Sequence, residues 1–193
     1  MTASDPKADL HEYLRVAREA MVWKLEGLSE YDVRRPLTPT GANLLGLIKH
    51  LATVEFGYFG DTFARPYAEP LAENGDDPTA DMWATPDQSR PDILAFYRRA
   101  WTHTDATIAT LDLTSQGVVP WWPPDRAPVT LHRILVHVTA ETNRHAGQAD
   151  ILRELLDGAT GHRATTSNMP TDDPAWWQRY RDRLEQAARQ ASS

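Results

Sequence analysis

Four stretches of this chain repeat apolar side chains at alternating three- and four-residue steps, the spacing of a helical stripe, and none sustains the two-residue alternation of a half-buried strand. That pattern predicts an all-α protein. The first stripe runs Leu10, Leu14, Ala17, Met21, Leu25, Leu28, behind Asp5-Pro6, an N-cap with proline at the first helical position. The second follows Thr38-Pro39-Thr40-Gly41 and carries Leu44, Leu47, Ile48, Leu51, Val54 and Tyr58. The third starts near Ser89-Arg90-Pro91-Asp92 and carries Ile93, Tyr97, Ala100, Thr104, Ile108 and Leu111. The fourth and longest opens at Thr130 and closes at Gly158, a residue suited to a left-handed cap.

Helices two and three are joined by a long connection, roughly Arg65 to Arg90, rich in proline, aspartate and glycine. Connections of that length are usually functional or mobile. A turn-prone stretch, PWWPPDRAP, precedes helix four, and a polar loop leads to a short amphipathic segment behind Asp173-Pro174 whose tryptophans are expected to dock on the bundle. The expected architecture is a four-helix bundle with a long crossover between helices two and three and a short C-terminal helix, a class that builds metal and ligand sites between facing helices. At 193 residues the chain reads as one domain, 1–193, with a core bundle of about 5–158 and an extension over 159–193.

Charge and composition remove several functions. A net charge of -7, from 27 acidic and 20 basic side chains, is the wrong sign for tracking phosphates, so no nucleic acid partner is expected. No window approaches the roughly 20 apolar residues of a membrane span, and MTASDPKADLHEYL has no signal-peptide pattern, which predicts a cytoplasmic protein with no membrane partner. The absence of cysteine excludes disulfides and a protein thiolate nucleophile. Any sulfur chemistry must arrive with a substrate.

Within the fourth helix the core stripe reads Leu131, Ile134, Val138, Glu141, His145, Gln148, Leu152, so Glu141 and His145 stand where leucines belong. A carboxylate in an apolar interior needs a partner, a cation or a shifted pKa. Residues four apart on a helix have Cβ atoms about 5–6 Å apart, close enough to converge on one ion. His50, inside the apolar pattern of helix two, is a candidate third ligand, although a packed imidazole bonded to a carbonyl is the plainer reading of His50 taken alone. Two imidazoles and one carboxylate suit zinc with an open position, and equally a non-haem iron site, so the ligand set leaves the metal open between them, with zinc preferred.

His137 extends the series to H-x-x-x-E-x-x-x-H but lies beside the stripe; it is a candidate fourth ligand, orienting group or proton shuttle. Trp121 and Trp122, flanked by prolines, are candidate walls of an apolar substrate pocket, with packing against helix ends the plainer reading, and Arg144 is a candidate contact to an anionic substrate group, with a solvent-facing ion pair the plainer one. His11, His103, His132 and His162 read as ordinary surface residues.

Taken together, LLGLIKHLATVEFGYF (Leu44 to Phe59) and HVTAETNRHAGQADILRELLDG (His137 to Gly158) resemble the DinB-like superfamily, especially its actinobacterial branch of mycothiol-dependent enzymes, which includes mycothiol S-transferases and a maleylpyruvate isomerase. The resemblance covers most of the chain up to Gly158. It implies a four-helix bundle whose divalent metal, usually zinc, is held by a histidine of helix two and two ligands four apart on the last bundle helix, positions occupied by His50, Glu141 and His145. Many superfamily members have histidine where Glu141 stands, and glutamate resembles the mycothiol branch. The function implied is a metal-dependent S-transferase that uses mycothiol as thiol co-substrate against a small electrophile. A mycothiol-dependent isomerase, a metal-dependent hydrolase, and a non-catalytic bundle that binds metal or a small ligand are the alternatives, each as a monomer or homodimer.

Overall fold

A computed structural model describes residues 5–67 and 77–192, so the part of the crossover over 68–76 and the first four residues lie outside the described residues. The chain divides after Ala159 into two compact units.

The first unit is the predicted all-α bundle. Its long helices are α1 (Pro6–Trp23), α3 (Leu44–Phe59), α4 (Arg90–Thr110) and α5 (Leu131–Asp157), with a short α2 (Glu30–Arg34) between the first two. Local chemistry sets their ends. Asp5, Asn43, Ser89 and Thr130 each accept a backbone N–H of the first turn they cap. At the far end of α5, Gly158 takes φ 77°, a conformation that costs a residue without Cβ little.

The four stripes face inward. α3 packs against α4 and α5, and α1 against α5. One apolar cluster joins Leu44, Leu47, Ile48 and Leu51 to Ile93, Tyr97 and Ala149; a second joins Leu14 and Phe59 to Ile108, Leu131, Ile134 and Val138. Among the described residues, no helix is long and apolar enough to cross a membrane.

Three features depart from the reading of the sequence. Leu25 is buried as the stripe requires, yet α1 ends at Trp23, because the apolar rhythm continues through a turn in which Gly27 adopts φ 74°. Two strands are present, β1 (Gln116–Val118) and β2 (Pro128–Thr130), paired antiparallel with Gln116 opposite Thr130. At three residues each they are too short for alternation to register, yet they pin the base of the Trp121-Trp122 loop. Finally, Arg18, Lys24, Lys49 and Glu55 are buried. Arg18 donates to both Glu55 oxygens at 2.6 and 2.8 Å and to Asp105 at 2.8 Å, tying α1, α3 and α4 together through one guanidinium.

In the second unit, α6 (Pro174–Ala191) is capped by Asp173, and Trp176 stacks on Tyr180 with ring centroids 5.2 Å apart.

Candidate metal centre

His50 sits midway along α3 and Glu141 and His145 on successive turns of α5, and helix packing brings the three together. One donor atom from each lies within 4.8 Å of the others. Glu141 Oε1 is 2.9 Å from His145 Nε2 and 3.8 Å from His50 Nε2. The two imidazoles are partly or fully buried, so the three donors converge at the inner edge of the bundle rather than on open surface.

Each imidazole is aimed from behind. His50 Nδ1 meets Asp81 Oδ2 at 2.7 Å, and His145 Nδ1 meets Gln148 Oε1 at 2.7 Å. A carboxylate only accepts, so in neutral His50 the hydrogen resides on Nδ1 and the Nε2 lone pair points toward Glu141. His145 faces an acceptor at both nitrogens, whereas a neutral imidazole has one N–H and satisfies one of them. A cation between Nε2 and Glu141 answers the other. This donor set therefore fits a divalent metal, with outer partners of the kind that orient ligating histidines.

Burial works against charge on Glu141, but the hydrogen bond from His145, together with the positive charge that His145 and His50 carry when protonated, holds its pKa below the ordinary carboxylate value. The charged, ligating form is the one the site favours.

A cavity of about 450 Å³ opens beside the cluster, lined by His50, Glu141, His137, Tyr58, Asp61 and Trp121, among others. Trp121 lies over Gly57 of α3, where an added Cβ would stand 2.8 Å from its Cη2 atom. Trp122 backs the wall: its Nε1 donates to Tyr58 Oη at 3.1 Å and its ring meets His137 edge-on at 5.2 Å. A second cavity, about 470 Å³, touches His145 and Gln148 along with Asn43, Leu47, Met82 and Trp83, but neither His50 nor Glu141.

His137 borders the first cavity and stands outside the three-donor group. Its pKa is lowered, chiefly by burial, with Arg133 adding to the effect and Glu141 opposing it. Burial therefore favours its neutral form, which is able to accept a proton. Arg144 is exposed and lines neither cavity, because one residue before His145 turns it about 100° away around the helix. His11 and His103, ordinary surface residues by spacing, have partners: His11 bonds Asp105 at 2.8 Å, and the His103 ring packs against Phe56 and Tyr67. Asp81 carries no sequence signal because it lies in a loop without periodicity, and Gln148, on the core stripe by spacing, is exposed and serves His145.

A family model described as mycothiol-S-transferase matches residues 9–158. Among solved structures, a crystal structure of a conserved protein from Enterococcus faecalis is similar with TM-score 0.56 and 18% identity, over 81% of this chain and 99% of that one, a likeness of fold. No curated protein matches the chain. With three-quarters of its length matched by that model, and the bundle built as the resemblance implies, the chain belongs to the mycothiol-S-transferase family.

Proposed function

We propose that the protein is a metal-dependent S-transferase that joins mycothiol to a small apolar electrophile, with His50, Glu141 and His145 holding a divalent cation for which zinc is the preferred identity. The observation that carries this reading is the convergence of three donors on the wall of an aromatic-sided cavity in a chain of that family. Two histidines and one carboxylate leave a coordination position open. When bound, the cation supplies Lewis acidity that lowers a thiol pKa from about 8.5, so that thiolate is available near neutral pH.

The remaining work falls to side chains. His137, neutral and beside the cavity, accepts the thiol proton on a ring nitrogen. Tyr58 and Trp121 flank the electrophile and exclude water around it. The sulfur forms a bond to the electrophilic carbon while the leaving group departs with its bonding pair. With no cysteine in the chain, no side-chain thiol competes for that carbon.

Product mass after incubation with mycothiol and a fluorogenic chloromethyl electrophile tests this directly. The expected product is a stable thioether with chloride released, formed only when thiol and enzyme are both present. An isomerised electrophile with mycothiol returned unchanged would instead indicate an isomerase. Product formed without thiol would indicate a hydrolase, and no turnover would leave a binding bundle.

A further inference from the structure

The His50 ring is aimed by a residue that belongs to none of the bundle helices. Asp81 comes from the crossover, 31 positions away in sequence, and an irregular loop holds a carboxylate still only if its own backbone is tied down. Here it is tied on both sides of Asp81. Lys49 Nζ donates to Ala80 O at 2.6 Å, Trp83 O at 3.0 Å and Gln88 Oε1 at 3.0 Å, so all three ammonium hydrogens grip the crossover. Asn43 Nδ2 donates to Met82 O at 3.1 Å. Gly46 completes the seat, because a Cβ there would stand 1.8 Å from Met82 O. The loop backbone lies directly on the helix.

Asn43, which caps α3, and Gly46 and Lys49 within it follow one another at three-residue steps, and His50 comes immediately after. Lys49 is 6% exposed, and burying an ammonium is costly unless its hydrogen bonds are satisfied. An apolar residue would fill the same space. What it would lack is the grip on the carbonyls that bracket Asp81.

We propose that Lys49 is a positioning residue for the metal centre: by holding the crossover at Ala80 and Trp83, it fixes the Asp81 carboxylate against His50 Nδ1 and so presents His50 Nε2 to Glu141 and His145. The proposal rests on the metal-site reading above, and the experiment separates the two. Zn(II) affinity is measured by chelator competition for the wild type, Lys49→Met, Asp81→Asn, the double variant and Gly46→Ala. Nitrogen chemical shifts of His50 are recorded on the metal-free proteins.

Lys49→Met, Asp81→Asn and Gly46→Ala should each weaken Zn(II) binding by about 10–100-fold, the range lost when a ligand's outer partner is removed. The double variant should bind no more weakly than Asp81→Asn, since both changes break one path. The metal-free wild type should show His50 protonated at Nδ1, and Lys49→Met a mixture of tautomers. Wild-type affinity in Lys49→Met, additive losses in the double variant, or unaltered His50 shifts would overturn the proposal. A wild type that takes up no Zn(II) overturns the metal reading instead, and the His50 shifts then decide the role of Lys49.

Discussion

His50 and His145 come from different helices, yet their rings meet edge to face with centroids 4.9 Å apart, and Glu141 closes the triangle one turn before His145. Such contact between two imidazoles and a carboxylate needs the α3–α5 interface to be fixed within fractions of an ångström. The leucine-rich clusters around it supply that rigidity.

His137 lies outside the donor triangle, so His137→Gln should keep its metal while losing proton transfer. The expected change is a kcat lower by about 100-fold or more at unchanged metal content. Steady-state kinetics alongside elemental analysis check both. Lost metal would make His137 a ligand.

Gly57 gives Trp121 its place over α3. Gly57→Ala should displace the indole while helix propensity improves by about 1 kcal/mol, so the fold holds. KM for an apolar electrophile should rise about 10-fold with metal content intact, the scale of a small steric change in a hydrophobic pocket. An unchanged KM would remove Trp121 from the substrate wall.

The buried Arg18–Glu55 pair predicts a stability effect independent of the site. Against the pull of burial, Glu55 and Asp105 hold the Arg18 pKa above its ordinary range, so the guanidinium stays charged. Glu55→Leu should destabilise the bundle by about 3–5 kcal/mol by leaving that charge without its main partner. Adding Arg18→Met should recover much of the loss. Urea denaturation of the single and double variants measures this.

Asp105 gives the pH dependence. Burial works to raise its pKa, but hydrogen bonds from His11 and Arg18 and the charges of both hold it below the ordinary carboxylate value. A pKa depressed by folding contributes stability above the unfolded value of about 4 and loses it as pH falls through the folded value. Asp105→Asn should therefore cost about 1 kcal/mol or less near neutrality, Asp105 being half-exposed, with the gap to wild type closing in acid. A gap that stays constant from neutral to acid pH would refute this.

What the sequence reveals follows from the range of each interaction. Periodicity and capping are local, and the stripes through Leu47, Tyr97 and Val138, with Thr130 and Gly158 bounding the last helix, correspond to observed elements. Glu141 and His145 are visible because polar groups interrupt an apolar stripe four residues apart, and His50 because it interrupts another. Asp81 and Lys49 leave no such trace. Each acts across more than thirty positions, through a loop whose path only tertiary packing defines. Arg18 hides for a different reason: it adjoins the stripe position Ala17, and its burial depends on Glu55 and Asp105 arriving from two other helices. Arg144 carries no periodic signal of this kind; it is exposed and lines neither of the two cavities.

The most direct test of the account is metal analysis of the purified, untagged protein beside His145→Ala. About one zinc per chain in the wild type, lost in the variant while its far-UV circular dichroism stays helical, is the predicted result. A wild type without metal after incubation with zinc, or a variant that keeps a full equivalent, would contradict it.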